Sequence, residues 1–146
     1  MTSAERKPPS TRTMIWMIAC GVYVTAMFIG THAPLKLEPI AAPNGDKLMH
    51  LAGYAGLGFL VAWGLAIRSS KPRWLWCAYA AILLWAGMDE VTQPLVSRTA
   101  DIYDWLADAS GSGLGMISAW GIAMLLRTSM TQSVADVPAV LPSSSD

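Results

Sequence analysis

A chain of 146 residues that is 53% hydrophobic and only 14% charged, with a mean hydropathy of +0.40, has too little charge to cover a water-soluble domain of its size. Its ten basic and ten acidic residues cancel, which removes the basic field that nucleic-acid binding uses. Cys20 and Cys77 each stand inside a long apolar run without paired spacing, so they read as small core hydrophobes and not as a disulfide or a metal pair.

Residues 1–13 are polar and contain two prolines. A helix needs roughly 20 mostly apolar residues to cross a hydrocarbon core of ~30 Å. The first such run is Met14 to Ala33. Thr31-His32-Ala33 loosely matches a signal-peptide cleavage site. Pro34 directly after it, and an apolar stretch longer than a signal-peptide core, favour a retained span. The second run, Leu48 to Ile67, is interrupted only by His50 and several glycines, and the third, Trp74 to Gln93, carries Asp89 and Glu90 near its end. The fourth begins at Tyr103 or Asp104 and ends at Leu126. Residues 128–146 end in Pro-Ser-Ser-Ser-Asp without apolar periodicity and read as a flexible tail. The expected architecture is an all-α transmembrane four-helix bundle over 14–127, with spans at about 14–33, 48–67, 74–93 and 104–126.

Charge sets an expected orientation. Arg6, Lys7, Arg12, Arg68, Lys71, Arg73 and Arg127 flank one side of the spans, against Lys36, Lys47 and Arg98 on the other. The positive-inside rule then places both termini in the cytoplasm, and Trp74 and Trp76 suit an interfacial aromatic belt on that side.

With this topology the polar residues of three spans fall at one depth, toward the extracytoplasmic face. His50 lies in the first turn of the second span, Asp89, Glu90 and Gln93 near the end of the third, and Asp104 and Asp108 at the start of the fourth. Asp46, His50 and Tyr54 are spaced i, i+4, i+8 and share a helix side. Asp104 and Asp108 flank a stripe of small residues, Ala107, Gly111, Gly115, Ala119 and Ala123, which permits close helix contact in lipid and so turns the aspartates inward. Gly53, Gly56 and Gly58 read as packing positions, since they form no dinucleotide fingerprint. Ionisable residues within spans are costly and are read first as a functional site, the bland alternative being an ion-pair network that pins the helices.

These residues resemble the motifs of the VanZ-like family. Asp46-Lys47-x-x-His50 with Tyr54 is similar to its first motif. Asp89-Glu90-x-x-Gln93, Arg98, Asp101-Ile102-x-Asp104 and Gly111-x-x-x-Gly115 are similar to its second. Two departures stand out: Val96-Ser97 precedes Arg98 where the family often has Pro-Gly, and Asp108 stands where it often has Asn. The family is named for a membrane protein associated with low-level teicoplanin resistance, so the resemblance implies a small multi-span protein of the cell envelope without implying a reaction.

The expected function is a polar pocket for a cell-envelope molecule or lipid head group. Arg98 and Lys47 would hold a phosphate or carboxylate, and Tyr54, Asp89, Gln93, Asp101, Asp104 and Asp108 would line the site. His50, Asp46 and Glu90 are the candidates for acid–base chemistry, with a carboxylate setting the His50 tautomer. Ser97 and Ser110 are the available but unsupported nucleophiles. His50, Glu90, Asp104 and Asp108 offer metal-ligand atoms without a dense motif, and neither a metal nor another cofactor is expected. Expected partners are membrane lipids and a lipid-linked or cell-wall ligand. A small transporter is the competing class, although no inverted repeat relates the two halves.

Overall fold

Ser10 opens the first helix by accepting the Thr13 N–H on its hydroxyl at 3.3 Å, an N-cap that starts α1 (Thr11–His32) a turn before the apolar run. The computed structural model describes residues 8–32, 44–68 and 71–135. Most of the polar N-terminal segment, including Arg6 and Lys7, the residues from Ala33 to Pro43, with Pro34 and Lys36, and the Pro-Ser-Ser-Ser-Asp end lie outside them. Asn44, in the left-handed region at φ 62°, leads into α2 (Gly45–Ala66). Pro72 precedes α3 (Arg73–Thr92). Pro94 cannot continue that helix, so the chain tightens into a 3-10 turn, Gln93–Val96, closed by Ser97 at φ 63°. Asp101 then caps α4 (Ile102–Ala135), its Oδ1 accepting the Tyr103 N–H at 2.9 Å.

Among the described residues the chain is all-helical, and each expected span is found as a helix displaced by one to three residues at its start. Three helical stretches, Thr11–His32, Gly45–Ala66 and Ile102–Gln132, are long and apolar enough to cross a membrane. α3 is not among them, because the buried Asp89 and Glu90 lower the mean hydropathy of so short a helix. α4 corrects the expected tail: it continues past Leu126 to Ala135, where Thr128, Ser129 and Thr131 hydroxyls donate to carbonyls one turn back. Large apolar side chains cover the outside of the molecule, Ile15, Ile18, Val22, Leu84, Val91, Ile117 and Leu125 among them. So broad an apolar exterior is a surface solvated by lipid, that of an integral membrane protein. Cys77 lies on this exterior and Cys20 is half-buried, so the pair are not core residues as expected; both are free.

α2 and α4 form the most extensive helix pair. They run parallel, since Leu51 faces Gly111, Ala55 faces Gly115, and Arg127 donates to the Ala66 carbonyl. A methyl group added at Gly58, Gly111 or Gly115 would strike the backbone of the opposite helix, so these glycines set the approach. Ala119 and Ala123 continue the buried stripe, while Ala107 is half-buried. Aromatic donors then tie the outer helices on. Trp16 Nε1 and Tyr23 Oη of α1 donate to the Leu60 and Gly53 carbonyls, each at 2.9 Å. Tyr79 Oη of α3 donates to Ala109 O at 3.0 Å, and Trp105 Nε1 of α4 to Leu83 O at 3.2 Å. These contacts make α1/α2 and α3/α4 antiparallel. α1 buries no residue fully, so it leans on the outside of the α2–α3–α4 core and does not share the centre equally.

Gly115→Ala has only backbone to displace, and should lower stability by about 1–3 kcal/mol despite alanine's better helix propensity. Gly121→Ala, with open space around it, should be neutral or stabilising. Thermal unfolding of both variants in detergent checks the contrast.

Candidate functional site

The C-terminal ends of α1 and α3 and the N-terminal ends of α2 and α4 meet at one end of the bundle. Six acids gather there: Asp46, Asp89, Glu90, Asp101, Asp104 and Asp108. The far end carries Arg68, Arg73 and Arg127, with the Arg68 guanidinium 4.3 Å from the Trp16 ring centroid.

Lys47 binds most of the acid charge on the rim. Its Nζ donates to Asp101 Oδ2 at 2.7 Å, Asp104 Oδ1 at 2.9 Å and Asp46 Oδ2 at 3.2 Å. The ammonium holds the Asp101 carboxyl below the usual carboxylate range. Asp101 also joins three elements: Oδ1 caps α4, Oδ2 takes Lys47, and its backbone N–H donates to Glu90 Oε2 at 2.9 Å. Glu90 Oε1 accepts the Gln93 amide at 3.1 Å.

Deeper in, His50 Nδ1 and Asp108 Oδ1 are 2.9 Å apart, and Asp108 is fully buried. Tyr54, one turn further along α2, is 1% exposed. Asp89 is anchored by α1, with Thr31 Oγ1 donating to its Oδ1 at 3.0 Å and His32 Nδ1 3.5 Å from the same oxygen. His32 Nε2 reaches Thr92 Oγ1 at 2.9 Å and its ring stacks on Phe28. Asp89 Oδ2 and Asp108 Oδ2 are buried with no hydrogen-bond partner among the described residues. A buried acceptor left so costs about 1–3 kcal/mol, more when charged.

A half-open cavity of about 470 Å³ lies against this network. Met27 and Gly30 of α1 and Met49 and Gly53 of α2 contribute apolar lining, while Thr31, His50, Gln93, Arg98, Asp101 and Asp104 supply polar groups. A second, almost wholly apolar groove lies between α3 and α4, lined by Trp76, Met116 and Trp120.

Every site residue expected from the sequence is therefore at this end, but several pairings differ. His50 pairs with Asp108, not Asp46, which is half exposed and turns to Lys47. Arg98 neutralises no acid among the described residues. Its Nη1 donates to the Thr31 and Gly30 carbonyls at 2.9 and 3.4 Å, closing the end of α1. Neither candidate serine serves His50: Ser110 donates to Leu106 O on its own helix, and Ser97 is an exposed turn residue. Thr31, His32 and Thr92 are additions that sequence reasoning missed. Their signal was a His-Thr pair ending the first span at the depth of Asp89.

Fold and site together define an all-helical membrane protein with a polar, acid-rich cavity at one end of its helices. Comparison with protein families, with curated proteins and with solved structures finds no match to this chain.

Removing the Thr31 hydroxyl leaves Asp89 short of a donor in a buried setting. Thr31→Val should cost about 1–3 kcal/mol, whereas Thr25→Val, whose hydroxyl bonds only within α1, should stay within about 0.5 kcal/mol. Melting curves of the two purified variants decide it.

Proposed function

We propose that the chain is a VanZ-like protein of the cell membrane that binds, or acts on, the polar head of a cell-envelope amphiphile. The cavity faces the extracytoplasmic side and both termini lie in the cytoplasm. The observation that carries this reading is the mixed lining of the cavity, where Met27, Met49, Gly30 and Gly53 stand together with hydrogen-bonding and charged groups from His50 to Asp104. An amphiphile matches such a lining, its head among the polar groups and its chains along the apolar residues. The gathering of Arg68, Arg73 and Arg127 at the opposite end supports the orientation under the positive-inside rule. The ordered motifs from Asp46 to Gly115 support the VanZ-like assignment, and with it a link to glycopeptide resistance.

The geometry narrows the roles within the pocket. Lys47 is engaged by three carboxylates, which leaves Arg98 as the anion-binding group. Among the described residues Arg98 uses only Nη1, on the α1 carbonyls, so Nε and Nη2 keep donors for a bidentate grip on a phosphate or carboxylate. The surplus of carboxylates receives hydroxyl, amide or amine groups of the same head. Arg98→Ala should weaken binding of phosphatidylglycerol or a polyprenyl phosphate by about tenfold or more, the value of a charge-assisted contact. Native mass spectrometry from detergent measures this, and equal retention by the two proteins would overturn the reading.

A further inference from the structure

We propose that His50, Glu90 and Asp108 form a divalent-metal site, with Zn²⁺ the ion their donor set suits. The inference goes beyond head-group binding and does not rest on it. One donor atom from each residue lies within 4.8 Å of the others, and the three come from α2, α3 and α4. Ligand atoms around a tetrahedral Zn²⁺ stand about 3.3–3.6 Å apart, so an inward movement of roughly an ångström brings the three donors to coordinating separation.

Four features separate this cluster from a chance gathering of acids. Asp108 is fully buried, yet its Oδ2 has no donor among the described residues, a position a cation would satisfy. Two carboxylates and a neutral imidazole carry two negative charges, which a divalent ion balances; a protonated His50 balances only one. Glu90 is already oriented by the Gln93 amide and the Asp101 backbone N–H, the outer-shell support that metal-binding carboxylates use. Finally, His50 lines the cavity, so three protein ligands leave a coordination position open to water or ligand. Three-ligand zinc sites with an open position are the reactive kind, and closed four-ligand sites the structural kind. The mixture of imidazole nitrogen and carboxylate oxygen favours Zn²⁺ over Mg²⁺ or Ca²⁺, which prefer oxygen alone.

The test uses the full chain in detergent, stripped with chelator and titrated with Zn²⁺ alone, without added lipid. Calorimetry and elemental analysis should find one equivalent per chain. Asp108→Asn and Glu90→Gln, which keep side-chain shape, should each weaken uptake about 100-fold or more. Co²⁺ added to the stripped wild-type protein should give the intense visible bands of a four- or five-coordinate site. That measurement stands even if a variant fails to fold. No uptake by the folded wild-type protein, a Co²⁺ spectrum like that of the hydrated ion, or full uptake by folded variants would overturn the proposal and leave His50–Asp108 as a plain ion pair. Lipid retention through Arg98 is read separately, so either proposal can fail alone.

Discussion

The close approach of α2 and α4 is the constraint on which the molecule depends. Lipid chains are as apolar as leucine, so helices in a bilayer gain little from hiding apolar surface and associate through packing and polar contacts. Gly58, Gly111 and Gly115 remove the side chains that would keep the two backbones apart. Approach at that range fixes axial register as well as distance, because each glycine accommodates a particular stretch of opposing backbone. The same register puts Lys47 level with Asp104 and His50 level with Asp108. The polar site is thus positioned by the close packing of glycines against backbone further along the same two helices.

The outer helices are attached by a different device. Tryptophan and tyrosine donors reach carbonyls of the neighbouring helix, each of which has a second lone pair beyond its intrahelical bond. On α2 these rings occupy space that glycine leaves: a side chain at Gly56 would strike Tyr23, and one at Gly64 would strike Trp16. α1 is consequently held by a few directed bonds and little burial, although it supplies part of the cavity lining and the anchors of Asp89.

Hydropathy made the four helices legible, and the depth of each charged residue made their convergence legible. The small-residue stripe correctly turned Asp104 and Asp108 inward, because a stripe and its neighbours are properties of one helix. Partners across helices were not legible in the same way. His50 and Asp46 share a helix side, yet Asp46 sits a turn nearer the end and is exposed, so the tertiary partner Asp108 prevails. The contact of Arg98 within the protein was not legible either, since the turn forced by Pro94 delivers it to the open carbonyls of α1. The tail was misjudged past Leu126 because polarity ends a membrane span without ending a helix.

The direction of each helix has an electrostatic consequence at the polar end. α2 and α4 present their N-termini there, where the summed peptide dipoles are positive and favour the nearby Asp46 and Asp104. α1 and α3 present C-termini, where the dipole is negative, and Arg98 and His32 answer that of α1. Asp89 and Glu90 are the exceptions, acids in the last turn of α3 where the helix itself repels them. Donors from outside the helix reach both: Thr31 bonds Asp89, and Gln93 and the Asp101 backbone bond Glu90. The two carboxylates that the chain places against its own helix field therefore add a polar hold on the end of α3, from α1 at Asp89 and from the start of α4 at Glu90.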